Sequence, residues 1–239
     1  MAGNSLSSPA DHQAVPYRVV MLSMDAHLEA PVRAAERDLR RAIPGLSVQL
    51  HAASEWEKEG PSRQRVADNI QAADLILMGM LFLEDQVKPL LPILQEKAAS
   101  TEPCDGMVGI LAAPELVKLT QLGKFRMDKP QNGAIGLLKR LRGKSGSSSN
   151  GENQAKILRR LPKLLKYIPG TAQDVRSYFL TMQYWLGGSE HNVRHMIAAL
   201  INKYASGPRA GFRQSAVLGI VPFRRRVRAG RGRRSLWGI

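Results

Sequence analysis

Cysteine is scarce in this chain of 239 residues, which contains only Cys104. A single cysteine excludes an internal disulfide framework and a zinc cluster built from several thiolates. It suits a reducing compartment, and we therefore expect the protein in the cytoplasm. Long apolar runs are also absent, since none reaches the roughly 18 residues that a membrane-spanning helix needs. The sequence thus predicts neither a disulfide-stapled protein nor a transmembrane one.

Several short motifs of enzyme sites are missing as well. No G-x-G-x-x-G or G-x-x-x-x-G-K-[ST] follows a strand-like run, which argues against a dinucleotide site or a P-loop phosphate site. H-E-x-x-H and G-x-S-x-G are absent too. His191 and His195 stand four residues apart without an obvious acidic partner, and we interpret them as exposed helix residues rather than a metal pair. The motifs therefore indicate no catalytic residue.

Positive charge is in excess, at a formal net +15, but its position matters more than its total. Nine arginines and no acidic residue lie in residues 209–239, so the first 208 residues carry only +6. An arginine-rich arm could bind nucleic-acid phosphates. We favour the interpretation that this tail is disordered or the product of a shifted reading frame, because the composition changes abruptly after Pro208. We therefore expect no nucleic-acid partner.

Residues 17–123 alternate short apolar runs with amphipathic segments. The strand-like runs are 18–24, 46–51, 74–81 and 107–111, and the helix-like segments are 29–43, 62–72, 87–98 and 114–122. Apolar strands that alternate with helices indicate a parallel sheet covered on both faces. The prediction is an α/β fold with a small doubly wound, mostly parallel sheet of about four strands. Residues 1–16 lack the pattern of a secretory signal and are predicted to be a disordered leader.

The pattern becomes helical after this domain. Residues 124–208 are predicted to form a helical segment with a flexible polar loop at 143–151. Thr171 and Asp174 have the spacing of a capping box at the start of one helix. The Gly-Gly-Ser turn at 187–189 ends that helix and caps the next. Two amphipathic helices with so short a connection should pack as an antiparallel pair.

A ligand site is expected at one edge of the sheet. Open α/β sheets bind ligands beyond the carboxyl ends of their strands, where the strand order reverses. If the first and third strands are central, residues 23–29 and 79–85 line that crevice. Asp25, His27 and Glu29 could ligate a metal, but we favour a structural role in which Asp25 caps the first helix and Glu29 complements its dipole. The weak candidates are Asp25, His27, Met80, Phe82 and Glu84, and no metal ligand is assigned.

Four stretches of the chain resemble a known family. They are VVMLSMDAHLEAPVRAAERDLRRAIPGL, DLILMGMLFLEDQVKPLLPIL, CDGMVGILAAPELVKLTQLGKFRM and RRLPKLLKYIPGTAQDVRSYFLTMQYWLGGSEHNVRHMI. In this order they look like the start of the large, porphyrin-binding subunit of magnesium chelatase, and more distantly like the cobaltochelatase large subunit. The last stretch is the most specific because of its length. The resemblance covers about residues 17–208.

The resemblance implies a place in chlorophyll or bacteriochlorophyll biosynthesis, in photosynthetic organisms. The family's large subunit binds protoporphyrin IX and inserts Mg²⁺, a ligase reaction in which two AAA+-type partner subunits hydrolyse ATP. That subunit is several times longer than this chain, and its metal- and porphyrin-contacting residues lie mostly beyond this region. No catalytic residue or bound cofactor is therefore transferred. The chain is expected to be an N-terminal fragment, inactive alone, whose partners are the remainder of the large subunit and both ATPase subunits.

Two other functions stay open at the level of the sequence. The first is a stand-alone module that binds a porphyrin or another small ligand, or serves as a scaffold, without catalysis. Its apolar wall would consist of Met24, Met78, Met80 and Phe82 near the strand ends. The second is a basic nucleic-acid-binding protein that acts through the C-terminal tail.

Overall fold

A computed structural model describes residues 15–55, 60–100, 104–129, 162, 165 and 170–210. The strands in this part are β1 (Tyr17–Ser23), β2 (Leu46–Ala52), β3 (Leu75–Gly79), β4 (Gly106–Ile110), β5 (Gln121–Leu122) and β6 (Phe125–Arg126). The α-helices are α1 (Glu29–Leu39), α2 (Pro61–Ala72), α3 (Glu84–Val87), α4 (Leu91–Ala99), α5 (Pro114–Lys118), α6 (Thr171–Gly187) and α7 (Glu190–Tyr204). The leader up to residue 14, the loop at 143–151 and the tail from residue 211 lie outside the described residues.

The strands form one sheet in the order β2-β1-β3-β4-β5-β6. The first four are parallel, and β5 and β6 are added antiparallel at the far edge. Strands β1 and β3 are adjacent and central, so the direction in which the sheet is built reverses between them. The predicted doubly wound, mostly parallel α/β sheet is confirmed. The helix that the sequence predicts over 114–122 ends at Lys118, and β5 takes the place of its last residues.

Helices cover both faces of the sheet, as its apolar strands require. Val19 and Met21 of β1 enter a first core that packs the sheet against α1, α6 and α7. Val20 and Leu22 point to the opposite face, where a second core packs against α2, α4 and α5. Burying one such aliphatic side chain contributes about 1.5–3 kcal/mol. The first core therefore joins residues from both the strand-rich and the helical parts of the chain.

The turn between α6 and α7 is as the sequence predicts, but the start of α6 differs from the prediction. Gly188 has φ +56 at the end of α6, and the Ser189 hydroxyl accepts a hydrogen bond from Asn192 N at 3.2 Å. The capping box is wrong, because Gly170 precedes α6 as its N-cap and no side chain caps it. Asp174 instead accepts hydrogen bonds from Lys124 N and from the Tyr204 hydroxyl, each at 2.9 Å. Tertiary partners thus replace the local cap.

One predicted helix is interrupted. The sequence predicts a single helix over 87–98 with a kink at Pro92, but the chain forms α3, a short break and then α4. Pro92 lies in the first turn of α4, where its missing N–H leaves no hydrogen bond unmade. No helix within the described ranges is long and apolar enough to cross a membrane.

The amino edge of the sheet is held by polar contacts. Asp74, which is 7% exposed, accepts a hydrogen bond from Arg18 N at 2.7 Å and forms an ion pair with Arg209. Ser206 donates its hydroxyl hydrogen bond to Asp105. Arg209 also lies over the ring of Tyr17. The residues that follow α7 therefore bind to the amino edge of the sheet through these contacts.

Candidate functional site

The carboxyl edge of the sheet contains the crevice that the sequence predicts. Because β1 and β3 are central, the loops 23–29 and 79–85 follow adjacent strands. The turn between α6 and α7 closes one side of it. Trp185 lies so near Gly79 that a Cβ there would be 2.3 Å from the indole ring. Three chain segments that are distant in sequence therefore meet at the point where ligands bind in such folds.

The first loop is engaged in local contacts. Asp25 Oδ1 accepts a hydrogen bond from His27 N at 3.1 Å and contacts His27 Nδ1, and these bonds hold the pKa of Asp25 below its usual value. Glu29 forms an ion pair with Arg33 in the next turn of α1. Asp25 does not cap α1, whose N-cap is Leu28 without a side-chain bond. Within the described residues, no group of three or more His, Cys, Asp or Glu could hold a metal ion.

The second loop carries the other candidates. Met80 has φ +63, and its N–H donates to Ile110 O at 3.2 Å and Leu111 O at 3.1 Å. Leu111 is left-handed as well, at φ +46. Left-handed residues other than glycine are uncommon and cluster at functional sites. Glu84 forms an exposed ion pair with Lys88, while Met78 is fully buried in the second core.

Exposed apolar side chains are concentrated at this edge. Those that follow or flank the strand ends are Phe82 (54% exposed), Leu83 (55%), Leu111 (39%) and Leu186 (60%), which we name the apolar rim. In the described part of the chain, the other exposed large apolar side chain is Val15, which precedes β1 and so lies at the opposite edge. A grouped apolar surface of this kind marks a binding or interaction site.

Two buried polar atoms lie beneath the rim without a partner. They are the hydroxyl of Ser23 and the indole Nε1 of Trp185, in side chains that are 0% and 2% exposed. Among the described residues, neither atom has a hydrogen-bond partner. A buried donor left unsatisfied costs about 1–3 kcal/mol. We name these two atoms the donor pair.

Sequence reasoning identifies only part of this arrangement. The range 23–29 includes Ser23 as a lining residue, but not as a buried donor. The apolar periodicity of α6 includes Trp185, which indicates a core residue, but that pattern does not show its N–H. A polar residue at the end of an otherwise apolar strand is the available signal for Ser23.

A second concave region lies at the edge strand β2. A groove of about 520 Å³ runs between α1 and α2, and His51 and Asn69 lie in it with 3.1 Å between His51 Nε2 and Asn69 Nδ2. Burial and the nearby Arg65 lower the pKa of His51. Ion pairs and hydrogen bonds within the groove already engage several of its polar groups, so it is the weaker candidate.

The histidine pair on α7 is not an exposed pair. His195 is buried, and its Nδ1 is 2.7 Å from His191 O, while its ring stacks on Tyr184. The expectation that both residues are exposed is therefore wrong for His195, because the first core extends to that side of the helix. His191 remains exposed, beside Arg194.

Comparison with known proteins identifies the family to which this chain is similar. A family described as a domain of unknown function, DUF3479, matches residues 18–179. The H-type magnesium-chelatase subunit of Cereibacter sphaeroides is 40% identical over 191 residues, which is 80% of this chain and 16% of that protein. Its counterpart in Rhodobacter capsulatus is 40% identical over 196 residues, 81% of this chain and 16% of its own length. The chloroplastic magnesium-chelatase subunit ChlH of Oryza sativa subsp. indica is 29% identical over 203 residues, 82% of this chain and 14% of its own length.

These matches confirm the resemblance that the four sequence stretches indicate. The chain spans only about 16% of the length of the bacterial relatives. The shared region is the N-terminal one. The chain belongs to the DUF3479 family, and it is similar to the N-terminal region of the H-type subunit of magnesium chelatase.

Proposed function

We propose that the chain serves the insertion of Mg²⁺ into protoporphyrin IX as the N-terminal domain of a magnesium chelatase large subunit. The observation that carries this proposal is 40% identity over 80% of the chain to the H-type chelatase subunit of Cereibacter sphaeroides. Magnesium and the porphyrin are substrates of that reaction. The partners are the remainder of a large subunit and two AAA+-type subunits that hydrolyse ATP. The complex works in the cytoplasm and supplies chlorophyll or bacteriochlorophyll synthesis.

The role we assign to this domain is binding and scaffolding. Helices cover both faces of its sheet, and polar contacts stabilise the amino edge, so the sheet can serve as a scaffold. The carboxyl edge then presents the apolar rim around the donor pair. Such a surface binds an apolar partner or substrate face, and the groups that deprotonate the porphyrin and deliver the metal come from the rest of the assembly.

A second candidate is a stand-alone module that binds a small ligand. The donor pair favours it, because two buried donors without a partner can satisfy an acceptor on a ligand. The two candidates differ in what the domain needs: the module works alone, whereas the chelatase domain works only when joined to the rest of a large subunit.

A chimera tests the chelatase proposal. Residues 17–208 of this chain would replace the matching segment of the Cereibacter sphaeroides protein. ATP-dependent formation of magnesium protoporphyrin would then be followed by its fluorescence, with both partner subunits present. We expect activity within about tenfold of the parent, which corresponds to about 1.4 kcal/mol.

The control is a chimera that carries an unrelated α/β domain of the same size, which should be inactive. If the chimera with this chain purifies as a folded protein and is no more active than that control, the proposed function is wrong. Activity in both chimeras would also contradict it, because the segment would then contribute nothing specific.

A further inference from the structure

The donor pair and its surroundings form an arrangement that neither packing nor the family assignment explains. Ser23 ends a strand of otherwise apolar side chains, and its hydroxyl is buried. Trp185 ends the apolar stripe of α6, and its N–H is buried beside the same strand ends. Native proteins satisfy nearly all buried polar atoms. Two unsatisfied donors at the same strand ends are therefore available to an acceptor.

The register of the sheet places the two donors on one face, at neighbouring strands. Ser23 and Gly79 are partners on the parallel strands β1 and β3, so their Cβ directions share a face of the sheet. A Cβ on Gly79 would be 2.8 Å from Trp185 Nε1, so the indole N–H lies over the strand next to Ser23. Neighbouring strands are about 4.8 Å apart. An acceptor that met both donors would lie about 2.9 Å from each.

The environment of this space selects the kind of molecule. The apolar rim lies at the same edge of the sheet, where Met80 has a left-handed conformation. Helix α7 begins at the same edge, since Gly188 in the turn before it lies against Leu28. The positive end of a helix dipole favours an anion. The combination suits an apolar molecule with a carboxylate.

We propose that the donor pair is the carboxylate-binding end of a small-molecule site at the carboxyl edge of the sheet. The Trp185 N–H and the Ser23 hydroxyl both donate to one carboxylate oxygen. The apolar rim packs against the apolar part of the same molecule. The identity of that molecule rests on the proposed function. If that function holds, the molecule is the porphyrin substrate, which carries propionate groups.

Tryptophan fluorescence tests the site directly. The chain has three tryptophans, Trp56, Trp185 and Trp237, so the double variant W56F/W237F leaves Trp185 as the reporter. Titration of this full-length variant with deuteroporphyrin IX, a soluble dicarboxylic porphyrin, should quench Trp185 saturably. The dimethyl ester of the same porphyrin should bind at least about fivefold more weakly, because it lacks the charged acceptor.

Single substitutions then distinguish the contribution of the two donors to binding from that of packing contacts. Ser23→Ala and Trp185→Phe, the latter followed by the Soret band, should each weaken binding by about tenfold to 150-fold, the loss expected for one hydrogen bond to a charged group. Phe82→Asp should weaken it through the rim. Val15→Asp is the matched control, since it changes an exposed apolar side chain at the opposite edge, and binding should stay within about twofold.

Three results would overturn the proposal. The first is the absence of saturable quenching by deuteroporphyrin. The second is binding that Ser23→Ala and Trp185→Phe leave unchanged while far-ultraviolet circular dichroism shows both folded, which would mean that the donors hold only water. The third is equal binding of the acid and its ester. None of these results bears on the chimera, whose activity reports the proposed function separately.

Discussion

Asp174 joins three elements through one carboxylate. It lies in the first turn of α6, accepts from the turn between β5 and β6, and binds the Tyr204 hydroxyl near the end of α7. Lys203 Nζ is 3.0 Å from Asp174 Oδ1 and completes its neutralisation. A buried carboxylate with this many partners is costly to move. Burial and the neighbouring carboxylate also raise the pKa of Tyr204, so its hydroxyl stays protonated and donating.

Cys104 offers a prediction at the same scale. Burial raises the pKa of its thiol to about 11, although part of its surface stays accessible. Only the thiolate reacts with disulfide reagents. We therefore expect the reaction with Ellman's reagent at pH 8 to be at least about 100-fold slower than that of an unperturbed thiol with pKa about 8.5. The rate should rise about tenfold per pH unit from 8 to 10.

The pH profile distinguishes protonation from poor access. A rate that levels off above pH 8.5 would mean that the thiol is already ionised there and only shielded, which contradicts the raised pKa. Glutathione measured under the same conditions supplies the unperturbed reference, and the circular dichroism signal confirms that the chain stays folded across the range.

At the scale of elements, Trp185 and Gly79 set how closely α6 approaches the sheet. Any side chain at position 79 would overlap the indole ring, whose nearest atoms lie 2.3 Å from the Cβ position. Gly79→Ala should therefore push α6 away from β3 and lower the free energy of unfolding by about 2–4 kcal/mol, the range seen for strong core disruption. Urea denaturation measures the loss, and a red shift of Trp185 emission should accompany it.

Gly170→Ala is the control for this change. Gly170 has φ +76 and ψ −143, but a Cβ there meets nothing within 4 Å, so only backbone strain of about 1–3 kcal/mol applies. A loss of less than about 1 kcal/mol for Gly79→Ala would show that the contact with Trp185 does not limit substitution at Gly79.

The elements that the sequence predicts well are those with strong local signals. The helices α6 and α7 have clear apolar stripes and a Gly-Gly-Ser turn, and the predicted bounds of both are nearly the observed ones. Strands β5 and β6 have two residues each, too few to show a period, and the sequence does not reveal them. The capping box fails because Asp174 is bonded to residues that are distant in sequence.

The site is predictable in outline only. The crevice between residues 23–29 and 79–85 follows from the strand order, which the alternation of strands and helices already indicates. The donor pair depends on where α6 crosses β3, and that position is decided by packing between segments far apart in the chain. A pattern of single residues carries no information on such a crossing, so it shows Trp185 only as a core residue.

At the scale of the whole molecule, the two edges of the sheet differ in chemistry. The amino edge is closed by the polar contacts of Asp74, Asp105, Ser206 and Arg209. The carboxyl edge is left with the apolar rim and the donor pair. One edge therefore stabilises the fold, and the other is available for binding. Arg209 is the first residue of the tail as the sequence divides the chain, yet it belongs to the stabilising edge.

Removal of Arg209 tests this division. Asp74 is nearly buried, and burial raises the pKa of its carboxyl although the Arg18 N–H and Arg209 oppose that effect. Arg209→Ala leaves the carboxylate without its cation and should lower the free energy of unfolding at pH 7 by about 1–3 kcal/mol. Urea denaturation of the full chain measures it. Arg33→Ala, which breaks an exposed ion pair, should cost less than about 0.5 kcal/mol.

The pH dependence of the free energy of unfolding of Arg209→Ala tests whether Arg209 acts through its charge. A carboxyl whose pKa is higher in the folded than in the unfolded state binds more protons when folded, so stability increases as the pH falls through that range. Loss of Arg209 should raise the folded pKa of Asp74 further. The deficit of Arg209→Ala relative to the unchanged chain should therefore shrink as the pH is lowered from 7, because protonated Asp74 no longer needs the cation. A deficit that stays constant over this range would mean that Arg209 acts through its packing on Tyr17 rather than through its charge.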